Sequence, residues 1–516
     1  MNLLATHLAE SGQRSGFWPD SLGAKSCRAR LATLAISLWL GLLILAQAFV
    51  TGCAVGPDYK RPEATSIPDA YSVATVETNY GWKVAEPRGQ LPKGNWWEVF
   101  GSPELNDLET QAAIANQNLK AAIDRFDESR AQLNITRAGF FPSIEGAPTA
   151  VRERVSPNEP SILTGRPIGQ TSTFNDFTLP LDFSYEVDAW GSVRRSVEYA
   201  RATSQASADD IATLDLSIQA AVASDYFNLR ALDTEMSVLQ SNILVFNRSL
   251  DLVISQRQGG IATDLEVAQA QTVLKTTEAQ LPYVGLQRAQ FEHALALLVG
   301  QPAPTFRIPV HVFKVAPPEI PAGLPSDLLE QRPDISASER TMAAANANIG
   351  VAKAAFYPTI ILSGLGGLES VNAGSLFNGS SHFWSVGPTL TLPIFEGGRL
   401  RAGLRLSEAT YDEMVANYRQ TVLTAFSQVE DSLAAQNLLA NQYEAESAAL
   451  VAARKQVEVA NDQYREGLIT YLDVATAQNT ELGVEFSTVQ IRGQQLVAAV
   501  SLVQSLGGGW QEPKRN

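Results

Sequence analysis

Cysteine is nearly missing from this chain of 516 residues, which contains only Cys27 and Cys53. If residues 1–52 are removed, for the reason given below, one thiol remains and no intrachain disulfide can form. Histidine is as sparse, with His7, His293, His311 and His382 scattered along the chain, and there are four methionines. Such poverty in soft ligands leaves no ladder for copper or silver, and neither a metal nor a cofactor is expected. No HExxH, GxSxG or Walker-type run occurs, so nothing points to catalysis. Positive charge is short too: 39 basic residues face 54 acidic ones, a net charge of −15 that becomes −17 once the four basic and two acidic residues of 1–52 are gone. A chain this acidic lacks the basic surface that meets phosphates, which argues against nucleic acid. The charged fraction is only 18%, too low for a uniformly disordered polymer.

Proline is absent from two long stretches, Val193 to Leu281 and Ile394 to Glu512. Within the first, Leu229, Leu232, Met236, Leu239, Ile243, Phe246, Leu250 and Val253 advance by alternating threes and fours, a heptad seam. Val193 to Gln256 as one helix would extend about 95 Å at 1.5 Å per residue, too long for a compact domain. In the second stretch Leu482, Phe486, Val489, Leu496, Val500 and Val503 form a returning seam, with Gly493 in one heptad place. The segment QRQGGIATDLEVAQAQTVL (256–274) reappears as QYREGLITYLDVATAQNTEL (463–482). Gly260 pairs with Gly467, Thr263 with Thr470, Leu265 with Leu472, Glu266 with Asp473 and Val267 with Val474, all at one offset, which Gly191/Gly398 and Arg194/Arg401 share. Two long helical hairpins, each folding back at a glycine turn, are the plan. Pro282 is expected to kink the first returning helix.

Between the helical stretches the period changes to two. Phe177, Leu179, Leu181, Phe183, Tyr185 and Val187 alternate with Thr178, Pro180, Asp182, Ser184, Glu186 and Asp188; Val386, Pro388, Leu390, Leu392 and Ile394 alternate likewise with Gly387, Thr389, Thr391 and Pro393. Such strands suit either a half-buried soluble sheet or a water-filled membrane barrel. Each half begins with a helix that ends in an aromatic-proline stop: Leu105 to Gly139 before FFPS, and 339–355 before FYPT. The chain is thus read as duplicated halves of helix, β-hairpin, long helix, turn and long helix, at 96–300 and 334–510. A connector with eight prolines (301–333) joins them, and a short tail (511–516) follows. Two hairpins supply four strands, too few to close a barrel. Three copies supply twelve, within the range of outer-membrane barrels, so a homotrimer is expected.

At the start, Arg28 and Arg30 precede an uncharged run ending in VTGC, the pattern of a bacterial lipoprotein signal. Residues 1–52 are read as that signal and Cys53 as the lipidated mature end. Ala54 follows it where an Asp would signal retention at the inner membrane, so the outer membrane is expected. Residues 53–95, punctuated by proline and glycine, are read as an extended tether, and Trp96 and Trp97 as packing residues that open the folded part.

CAVGPDYKRP, NWWEVFGSPEL, QRPDI, AAANANIGVAKAAFYPTI, PIFEGGRL and YREGLITYLDVATAQ together resemble the TolC-like outer-membrane efflux proteins, most closely their lipoprotein branch, the NodT family. The resemblance spans 53–510. It implies an α+β membrane protein whose trimer forms a 12-stranded outer-membrane β-barrel continuous with a periplasmic α-helical barrel. It further implies an exit duct for drugs or other small molecules, joined to a periplasmic adaptor and an inner-membrane pump of the resistance–nodulation–division (RND) type. A type I protein-secretion duct shares the fold, and a non-conducting coiled-coil stalk is the competitor of another class. The resemblance also implies a periplasmic gate where the hairpins converge. Glu266 and Asp473 match its acidic positions, and Tyr464 matches a tyrosine that bonds the acid equivalent to Glu266. A second, polar link falls here on the apolar pair Ile469 and Leu265, and a further aspartate on Thr476.

Overall fold

The computed structural model describes residues 54–62, 94–158, 171–312, 315–318, 320 and 331–508. The signal segment and Cys53 lie outside the described residues. A single 3-10 turn, Trp96–Phe100, leads into α1 (Pro103–Ala115) and α2 (Gln117–Ala138). The sequence reads as one helix here, but Asn116 divides it: at ψ 123° it leaves the helical region, and its Oδ1 accepts from the amides of Asn118 and Leu119 at 2.9 and 3.1 Å. An asparagine able to cap the next helix competes with continuing the last one.

The strands are β1 (Ser143–Gly146), β2 (Thr149–Val155), β3 (Ser172–Glu186), β4 (Thr359–Ser370) and β5 (His382–Thr391). β1 and β2 both pair antiparallel with β3 in one unbroken register, Ser143 opposite Ser184 through Val155 opposite Ser172. They are one strand interrupted at Ala147–Pro148, where proline has no amide to donate. The sheet is therefore four strands wide, and β3 beside β4 stitches the two halves together. Gly367 is required at that stitch: a Cβ there would stand 2.3 Å from the Leu179 carbonyl oxygen. Trp384 and Val386 are 78% and 76% exposed, as a barrel's lipid face demands and a soluble sheet would not tolerate.

Long helices α3 (Ser192–Gln258) and α6 (Arg399–Arg465) each have 67 residues, and the returning α4 (Asp264–Leu298) and α7 (Tyr471–Ser505) each have 35. At 1.5 Å per residue, α3 and α6 extend about 100 Å. Each begins after a glycine with positive φ, Gly191 at 82° and Gly398 at 89°. α4 runs through Pro282 without ending. The seam is buried unequally. Leu232, Leu239, Phe246 and Val253, seven residues apart, are at most 7% exposed, whereas Met236, Ile243 and Leu250 are only half-buried at its edge. Gly493 holds its heptad place because a Cβ there would lie 2.9 Å from the Ala231 methyl, so α3 and α7 touch closely.

α5 (Pro333–Ala354) completes the set and packs mainly on α3 and α6. The main core, including Leu105, Val222, Leu295, Ile335, Val422 and Val500, gathers around the middle of α3, where α4 and α7 end; Trp96 and Trp97 are buried in it. Ala54–Pro62 does not dangle. The Val55 amide donates to the Trp190 carbonyl at 3.0 Å, Asp58 pairs with Arg195 at 2.8 Å, and Arg61 donates to the Tyr418 hydroxyl at 2.7 Å. Gly56, at φ 116°, lies against Gly350, where any Cβ would collide with backbone.

Candidate functional site

The far end of the long hairpins carries two turns built alike. Gly260 and Gly467 adopt φ 74° and 78°, values open to glycine at no steric cost. Thr263 and Thr470 follow in extended conformation and start α4 and α7. Each threonine is paired with the acid three residues on. Glu266 Oε2 accepts from the Thr263 amide and hydroxyl at 2.6 and 3.0 Å, and Asp473 Oδ2 from those of Thr470 at 3.0 and 2.8 Å. These are capping boxes, legible as T-x-x-E and T-x-x-D, and they give both predicted gate acids a structural task. Glu266 is half-buried and Asp473 exposed.

Tyr464 departs from the expected link. Its hydroxyl donates to Gln256 Oε1 at 2.7 Å, not to Glu266, whose carboxylate is engaged in its own cap. The bond still ties the second turn to the end of α3. Burial first, and then the negative charge of Glu266, raises the Tyr464 pKa. Its ring meets Tyr471 edge-on at 5.6 Å, and burial pushes the Tyr471 hydroxyl up to about 12. Ile469 packs into the apolar cluster beneath the turns, Leu265 is exposed, and Thr476 bonds its own helix at the Leu472 carbonyl. Ile261, Leu265, Leu468 and Leu472 stand out from the tips as large exposed apolar side chains.

The first turn is crossed by an ion pair that the sequence reading missed, Arg257 to Asp264 at 2.7 and 3.1 Å. The bond to Arg257 lowers the Asp264 pKa and the same bond raises that of Arg257. Also missed was a buried cluster nearer the main core. Arg230 and Arg288 share Asp233 at 2.6 and 2.5 Å, and Glu292 stands 3.4 Å from Arg288. The signal was there: Arg230 and Asp233 lie within the heptad seam, where charges need partners. The cluster grips the connector. Arg288 donates to the Ile308 carbonyl at 2.6 Å, Arg230 to that of Pro309 at 2.8 Å, and the Ile308 amide to Glu292 at 2.7 Å.

Among the described residues, no helix is long and apolar enough to cross a membrane, and no group of three or more His, Cys, Asp or Glu is placed to hold a metal.

A lipid-facing sheet at one end of helical hairpins about 100 Å long defines an outer-membrane efflux channel. The chain belongs to the outer membrane efflux protein family, whose model matches residues 108–301 and 324–508. A probable efflux pump outer membrane protein, TtgC of Pseudomonas putida, is 32% identical over 476 residues, covering 91% of this chain and 96% of its own. The cation efflux system protein CusC of Escherichia coli is 29% identical over 467 residues, covering 90% and 97%. The crystal structure of the Campylobacter jejuni CmeC outer membrane channel superposes with a TM-score of 0.81 at 27% identity, covering 90% of this chain and 96% of that one. In this fold three copies close a 12-stranded outer-membrane barrel that continues into a periplasmic helical barrel.

Proposed function

We propose that the channel is the exit duct of a tripartite pump, engaged through a periplasmic adaptor by an inner-membrane transporter of the RND type. It passes drugs or other small organic molecules and catalyses nothing itself. The observation that carries this is the pair of tips: Ile261, Leu265, Leu468 and Leu472 expose apolar surface about 100 Å from the sheet, where only a protein partner can cover it. Cysteines placed beside Gly260 and Gly467 are expected to crosslink to the adaptor. Labelling of Gly467→Cys on intact cells by an impermeant thiol reagent would contradict this orientation.

Cys53 is the proposed lipidated end, supported by VTGC after an apolar run. An intact peptide spanning Gly52–Cys53 in mature protein, seen by mass spectrometry, refutes it. Glu266 and Asp473 are the proposed cation-sensitive constriction. A trimer brings six of these carboxylates around one axis, and packed like charges attract cations. Capping and constriction are compatible, because each cap uses only one carboxylate oxygen, Glu266 Oε2 and Asp473 Oδ2. Glu266→Gln with Asp473→Asn removes charge while retaining side chains able to cap, and should weaken divalent-cation block of single-channel current. Unchanged block assigns the constriction elsewhere.

A further inference from the structure

The long hairpins hold a cavity of about 430 Å³ that neither the tips nor the sheet accounts for. Its walls come from α3, α6, α7 and the connector, so both halves of the chain contribute. It lies about 40 Å along α7 from the Gly467 turn, at 1.5 Å per residue. Phe227, Val315, Val489 and Leu496 give it apolar sides. The described residues that line it include two arginines and no acid, in a chain where 54 acidic residues face 39 basic ones. Arg230 is matched, by Glu104 and by Asp233, each at 2.6 Å. Arg492 forms no ion pair among the described residues. Its Nη1 donates to Gln495 Oε1 at 3.0 Å, and its guanidinium lies over the Tyr443 ring, 4.5 Å from the centroid. Nε and Nη2 find no acceptor among the described residues. The hairpin does not need a cation here: at the places matching Arg492 and Tyr443, the first half has Gly285 and Met236, and a Cβ on Gly285 would meet nothing within 4 Å.

We propose that this cavity binds a small organic monoanion with a flat apolar body, an arylcarboxylate in chemical class. A carboxylate matches the planar edge of Arg492 formed by Nε and Nη2, accepting two parallel hydrogen bonds, while Tyr443 covers one face of the guanidinium. One unmatched arginine calls for one negative charge, and the carboxylates that hold Arg230 disfavour a second. The apolar sides take the body of the ligand, and the volume is that of a small-molecule site. An inorganic anion would leave those sides uncovered, and a neutral ligand would desolvate Arg492 without pairing it. A molecule seated here touches both hairpins and the connector at once. The proposal stands whether or not the same molecules pass through the duct.

The probe is 2-naphthoate, titrated by calorimetry into the purified full-length trimer, with 2-naphthamide as its neutral counterpart and detergent alone as the blank. Wild type should bind naphthoate once per protomer, about tenfold or more tighter than naphthamide, and melt at a higher temperature when loaded. Arg492→Gln should weaken naphthoate by about tenfold or more and leave naphthamide unchanged. Arg492→Lys should retain only part of the affinity, because an ammonium lacks the fork. Val489→Trp fills the cavity while leaving Arg492 in place, and should abolish binding of both ligands; it decides the matter if Arg492→Gln fails to assemble. Equal naphthoate affinity in wild type and Arg492→Gln overturns the proposal, as does naphthamide binding as tightly as naphthoate. Naphthoate binding that persists in Val489→Trp places the probe elsewhere and overturns it too. So does the absence of saturable naphthoate heat in the wild type, which leaves Arg492 as a cover for the Tyr443 ring alone.

Discussion

The two turns at the tips are copies in backbone and strangers in side chain. Glycine at positive φ, threonine cap and capping acid occur in both, at one spacing. What crosses the turn differs: the places of Arg257 and Asp264 in the first are taken by Tyr464 and Tyr471 in the second. The same exchange recurs higher up, where Arg230, Asp233, Arg288 and Glu292 correspond to Asn437, Ala440, Gln495 and Ala499. Duplication thus preserves what the chain needs in order to turn and cap, which few residue types can supply. It releases what merely glues helices together, which ion pairs, rings and neutral amides can each do. The consequence is mechanical asymmetry: charged side chains clamp the connector to the first hairpin, while a neutral contact, Gln495 to the Leu439 carbonyl at 3.0 Å, stands at the matching place in the second.

The comparison can be broken most decisively at Asp233. Asp233→Ala removes the buried carboxylate that two guanidiniums share, leaving Arg230 with Glu104 and Arg288 with Glu292, and should cost about 3–5 kcal/mol in unfolding experiments. Gln495→Ala, at the place matching Arg288, should cost about 1 kcal/mol. Equal losses would show that the halves are clamped alike. Tyr464→Phe removes the bond to Gln256, a partly exposed contact worth about 0.5–1.5 kcal/mol; resting conductance of the reconstituted channel should rise, with little change in melting. An unchanged conductance would mean that Tyr464 does not help hold the tip shut.

The smallest effect is expected at Arg257→Ala, since the pair is solvent-exposed and screened. Its pH dependence is the sharper probe. The folded-state pKa of Asp264 is lowered, so any stability from the pair is present above the unfolded carboxylate value and lost as pH falls through the folded one. The tyrosine pair has raised pKa values and keeps its protons throughout that acid range. Acidification should therefore loosen the first tip before the second, measurable by hydrogen exchange at each turn. Simultaneous loosening would contradict the assignment.

Much of this was written in the residue pattern. Heptad spacing gave α3, period-two alternation gave β3 and β5, and the matched glycines gave both turns, because backbone geometry restricts which residues can stand there. The division at Asn116 escaped, since apolar spacing continues across it and only the side chain's own cap breaks the helix. The Tyr464 partner escaped for a different reason. A position matched by motif fixes where a side chain starts, but Gln256 and a capped Glu266 decide where its hydroxyl ends. Arg257–Asp264 and the Arg288 arm of the Asp233 cluster depend on contacts across a turn or between helices that sequence spacing does not display.

The strap from Ala54 to Pro62 has a consequence in time. Tyr59 bonds Glu339, 280 residues later, and Arg61 bonds Tyr418, 357 residues later. At roughly 5–20 residues per second, the partner of Arg61 emerges about 20–70 s after Arg61 itself. The first residues of the folded protein to be synthesised are thus among the last that can be seated. Until then Gly56 has no Gly350 to lie against. Docking of the strap therefore requires that Glu339, Gly350 and Tyr418 of the second half already be in place.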